Sequence, residues 1–73
     1  MTKKFVYQVA GFEFEDTTAF GKAWKQAKME AAGRTCGVYR LVIKNENVKQ
    51  EVYCKSGCFL PVEMVKPEMV NIF

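Results

Sequence analysis

The chain has 73 residues, of which 49% are hydrophobic, 26% charged and 14% aromatic, with a formal net charge of +3 from eleven basic and eight acidic side chains. That composition is ordinary for a small globular domain and excludes a disordered, collagen-like or coiled-coil chain. The apolar runs Phe5 to Ala10 and Phe59 to Val62 are far shorter than the roughly 18 residues a membrane helix needs, and the acidic residues after the first run do not fit a signal peptide, so a cytoplasmic location without membrane association is expected.

Residues 4–10 alternate as a strand does, with Phe5, Tyr7 and Val9 on one side and Val6, Gln8 and Ala10 on the other. Gly11 interrupts this pattern. Phe12 to Glu15 either continues the strand past a bulge or leads out of it. A helix is then expected over 17–32, capped by Asp16 or Thr17, because their side-chain oxygens accept from free first-turn amides. Phe20, Ala23, Trp24, Ala27 and Ala31 form its apolar stripe, and Gly33 is placed to end it in a left-handed conformation.

The second half reads as a meander with strands at 36–44, 47–54 and 58–64, followed by an apolar segment at 65–73. Asn45-Glu46 makes a two-residue turn that sets Ile43 against Val48, Leu41 against Gln50 and Tyr39 against Val52 on one side. On the other side it sets Val42 against Lys49, Arg40 against Glu51 and Val38 against Tyr53. Lys55-Ser56-Gly57 makes a three-residue turn that sets Val52 against Leu60, Tyr53 against Phe59 and Glu51 against Pro61. Pro61 has no amide hydrogen to give to a ladder, so the last strand is an edge or ends there. The apolar tail is expected to dock rather than hang free. One α+β domain over 1–73 follows: βαβββ, an antiparallel meander with one amphipathic helix packed on one sheet face. If the first strand lies parallel to the second, the helix is a right-handed crossover.

The more apolar side of the meander, carrying Tyr39, Leu41, Ile43, Val48 and Val52, is assigned to the helix. This leaves Val38, Arg40, Val42, Lys49, Glu51, Tyr53 and Phe59 on the outer face. An aromatic-centred patch with a charged rim suits a protein partner or a second copy of the chain, as in a homodimer. The same residues suit weaker binding of RNA or single-stranded DNA, with rings for bases and cations for phosphates, although Glu51 and Glu63 stand among them. Lys22, Lys25 and Lys28 form a second basic stripe on the helix, which solvation alone can explain.

Catalysis is not expected. Histidine is absent, Ser56 is the only serine and Asp16 the only aspartate, which removes the common acid–base and nucleophilic arrangements. No cofactor is implied. No metal is expected either: Cys36, Cys54 and Cys58 supply one ligand fewer than a structural zinc site uses, and Glu13, Glu15 and Asp16 are too few for magnesium. Free cysteines packed as small hydrophobes fit a reducing compartment. In size the chain resembles small accessory proteins of bacteria and their viruses, and the resulting expectation is a non-enzymatic interaction module.

Overall fold

A computed structural model describes residues 3–73. Its strands are β1 (Lys3–Val9), β2 (Phe12–Asp16), β3 (Tyr39–Lys44), β4 (Asn47–Tyr53) and β5 (Phe59–Pro61), with the helix α1 (Lys22–Arg34) between β2 and β3. All neighbours are antiparallel, in the order β2-β1-β3-β4-β5. The expected α+β architecture is therefore present: an antiparallel sheet with one helix on one face.

Phe12 to Asp16 neither bulges nor leads out but turns back beside β1, pairing Tyr7 with Phe14 and Phe5 with Asp16. The turn is Ala10-Gly11, with φ of 47° and 89°. Positive φ at both central residues gives the twist that two-residue hairpins favour, and Gly11 adopts it without steric cost. Because this hairpin reverses the chain before the helix, β3 arrives antiparallel to β1 rather than parallel. The helical crossover instead links β2 to β3, which run in the same direction on either side of β1.

The helix starts at Lys22, later than the expected 17, because Asp16 still belongs to the sheet and residues 17–21 carry the chain from its edge onto its face. Asp16 nevertheless caps. Its Oδ1 accepts from the Thr17 and Thr18 amides at 2.8 and 3.2 Å, and its Oδ2 accepts from the Ala23 amide at 3.1 Å. This approach requires glycine at 21, where a Cβ would stand 2.7 Å from Oδ2. At the other end Thr35, not Gly33, takes the left-handed position, and its N–H donates to the Ala31 carbonyl. Ala23, Trp24, Ala27 and Ala31 are the buried residues of α1, whereas Phe20 lies before the helix and is 55% exposed.

Both meander registers match those the turns dictate. Asn45 has φ of 57° and pairs Lys44 with Asn47 across the first turn, and Gly57 takes φ of 92° in the second. The last strand stops at Pro61, short of residue 64, and Val62–Met64 and Pro67–Met69 form single turns of 3-10 helix. The tail then docks into the sheet. The Asn71 amide donates to the Tyr53 carbonyl at 3.0 Å, Lys55 donates to Met69 at 2.8 Å, and Phe73 donates to Cys36 at 3.1 Å.

The face that carries the helix is the reverse of the expected one. Phe5, Tyr7, Val9, Val38 and Phe59 join the helix residues in the main core, with Val42, Tyr53 and Phe73 packed against it. Trp24 organises this core: its ring lies 4.8 Å from Tyr53, 5.2 Å from Phe59, 5.6 Å from Tyr7 and 6.2 Å from Phe73. Aliphatic content favoured the other side of β3 and β4. Aromatic area decides the packing instead, because rings bury more surface each and gain further from tilted and edge contacts.

Candidate interaction surfaces

The residues expected to form an outer patch are indeed neighbours, but they lie on the helix face. Val38 is fully buried and Phe59 is 9% exposed. Tyr53 is half-buried and stacks on Phe73 at 5.6 Å. Val42 and Glu51 are partly covered, and only Lys49 is fully open to solvent. The assignment of this face as the outer one is therefore corrected: α1, Phe20 and the tail residue Phe73 pack against it.

Arg40 is the unusual member. Its guanidinium carbon lies 4.0 Å from the Phe59 ring centroid and 5.1 Å from that of Phe5, with Tyr7 and Phe20 each at 5.9 Å. Glu51 Oε1 accepts from its Nε at 3.0 Å and from its Nη2 at 2.6 Å. Cation–π attraction and the ion pair together offset the desolvation of a cation only 9% exposed. Among the described residues Arg40 Nη1 and the Tyr7 hydroxyl have no hydrogen-bond partner, and burial raises the Tyr7 pKa, an effect the adjacent Arg40 opposes. Arg40 and Phe59 thus form the packed floor of the helix face rather than a stacking platform for bases.

On α1, Lys22 and Lys25 are exposed, whereas Lys28 is half-buried with its Nζ 5.3 Å from the Trp24 ring. Its stem helps roof the core. The thiols divide by exposure: Cys36 intermediate, Cys54 buried and Cys58 exposed, all free. Burial pushes the Cys54 pKa up, and nearby Cys58 adds to the shift. Among the described residues, no three Cys, Asp or Glu side chains gather where a metal ion could be held.

The sheet surface left without a helix is the other one. Tyr39, Leu41 and Ile43 run along β3, facing Val52, Gln50 and Val48 on β4 and Gln8, Val6 and Lys4 on β1. Val62, Val65, Pro67 and Val70 cover one corner beside Tyr39 and Val52. Beyond that corner, Val48 is 58% and Tyr39 42% exposed, with Leu41 and Ile43 half-buried. The flank toward β2 is polar and internally matched. Lys4 pairs with Glu15 at 2.7 Å, and Gln8 donates to Glu13 at 3.2 Å. The register of β3 against β4 was readable from the sequence; the pairing of β1 with its neighbours and the side the helix would take were not. No protein-family model, curated protein or solved structure matches the chain.

Proposed function

We propose that this protein is a non-enzymatic interaction module that self-associates through the helix-free face of its sheet. The observation that carries the reading is the apolar surface of Tyr39, Leu41, Ile43 and Val48 on a sheet whose other face is occupied by the helix. Contiguous exposed apolar surface with a polar margin is how small domains present interfaces. A second copy suits it because a two-fold interface places one patch against itself. The centre of this patch is uncharged, and the nearby charges Lys4 and Glu15 already neutralise each other, so pairing of like faces brings no unbalanced charges together.

Ile43 and Val48 are directly opposite across β3 and β4, which gives a variant that preserves the sheet. Ile43→Glu with Val48→Lys places opposite charges across the ladder, with the new carboxylate also facing Lys4 on β1, which supports strand pairing while making the surface polar. Sedimentation velocity of the wild type should show a dimer that dissociates on dilution, and the folded double variant should remain monomeric. A monomeric wild type at every concentration tested, or a variant that dimerises equally well, would overturn the reading.

A further inference from the structure

Beyond the reach of α1, the helix face ends in a group of cations without carboxylate partners among the described residues, of which Lys3 has its Nζ 5.8 Å from the Phe5 ring. Lys3 is directly opposite Lys44 across β1 and β3, and in the next row Lys49 is opposite Val42. Lys3, Val42, Lys44, Asn47, Lys49 and Glu51, with Val48 at the rim, line an open cleft of about 490 Å³. Directly opposed like charges destabilise a ladder. Among the described residues, none of these lysines has an ion-pair partner, and the cleft's one carboxylate, Glu51, is held by Arg40.

Solvation accounts for most isolated surface lysines. It gives no reason for two lysines in register at the mouth of a cleft whose floor is the half-buried Val42. An anion between them would reverse the sign of that interaction, and the cleft's apolar wall would strengthen the attraction relative to open water. The Asn47 side chain can donate hydrogen bonds at the same margin. We infer that Lys3, Lys44 and Lys49, with Asn47, form a binding site for a phosphate group. The phosphate belongs either to a small phosphorylated ligand or to the backbone of a single-stranded nucleic acid. The three lysines are on the opposite side of the sheet from the self-association surface, with Val48 at the boundary of both, and the assignment does not rest on self-association.

Titration calorimetry with pyrophosphate and with a dodecamer of thymidylate at low salt tests the assignment. Wild-type protein should bind at least one probe, and Lys44→Gln/Lys49→Gln should weaken that binding at least about tenfold, as loss of close charge-assisted contacts implies. A control of equal charge, Lys25→Gln/Lys55→Gln, should bind like the wild type. Without ligand, Lys44→Gln/Lys49→Gln should melt no lower than the wild type, because an opposed pair of like charges has gone. Tighter binding of the dodecamer, with a salt slope of about −0.7 per phosphate engaged, assigns the phosphate to a strand. Tighter binding of pyrophosphate assigns it to a small ligand. Failure of both probes to bind, or equal weakening in the control, overturns the inference.

Discussion

Asp16 ties together the edge of the sheet, the crossing segment and the start of the helix. Backbone amides of Ala23, Thr18, Thr17 and Lys22 favour its ionised form and lower its pKa from the ordinary carboxylate value. A lowered folded-state pKa stabilises the fold fully above the unfolded value, near 4, and that contribution disappears as pH falls through the lowered value. Asp16→Asn should therefore unfold more readily at neutral pH and show a shallower loss of stability below about pH 4 than the wild type. Urea titrations across that range check this, and parallel curves would show that Asp16 is not the linked group. Arg40 makes a different point at the same scale. Read from sequence, an arginine facing a glutamate suggests a solvated rim, yet here the pair is roofed by Phe20 and floored by Phe59. Nothing in local spacing announces that, because the rings come from distant parts of the chain.

Among the elements, the tail shows how a segment without regular structure can complete a sheet. Residues 69–71 pair with 53–55 where β3 has not yet begun, and Phe73 reaches back to Cys36 and stacks on Tyr53. Gly37 allows the approach, since a Cβ there would lie 3.3 Å from the Asn71 carbonyl oxygen and from Val70 Cγ1. Phe73→Ala should cost about 2 kcal/mol, below the range for a fully enclosed phenylalanine because Phe73 is only half-buried. Thermal or urea unfolding measures it, and a cost near zero would mean that the ring is not part of the core. The meander was legible because each turn carries its own chemistry, Asn45 in one and Gly57 in the other, and each turn then fixes every cross-strand pair. The first hairpin was not. Ala10-Gly11 is a weak turn signal, and Phe12 to Glu15 fits an extension as well as it fits a return. The choice of sheet face failed for a third reason, since it depends on where Trp24 finds aromatic partners, and that is a tertiary property.

For the whole molecule, the strand order places β1, β3 and β4 inside the sheet and β2 and β5 at its margins, with β5 covering only Glu51 to Tyr53 of β4. Interior strands have partners on both sides, and local opening of a marginal strand breaks fewer bonds than loss of an interior one. Hydrogen exchange should therefore be slowest for β1 and β3, and faster for β5 and for the outward-facing amides of β2. Equal protection across all strands would indicate that the sheet opens only as a unit. The same arrangement places two surfaces on opposite sides of the sheet, with Val48 at the boundary of both, so Ile43 on one side and Lys44 on the other can be substituted separately.

Trp24, the chain's single tryptophan, has two of the three tyrosines against it, Tyr53 at 4.8 Å and Tyr7 at 5.6 Å, while Tyr39 lies on the far side of the sheet. Light absorbed by the two near phenols passes readily to the indole while the helix is docked. Tryptophan emission excited where both rings absorb, compared with that excited where the indole alone absorbs, thus follows helix docking. One unlabelled sample carries its own optical report on the helix-covered side of the sheet.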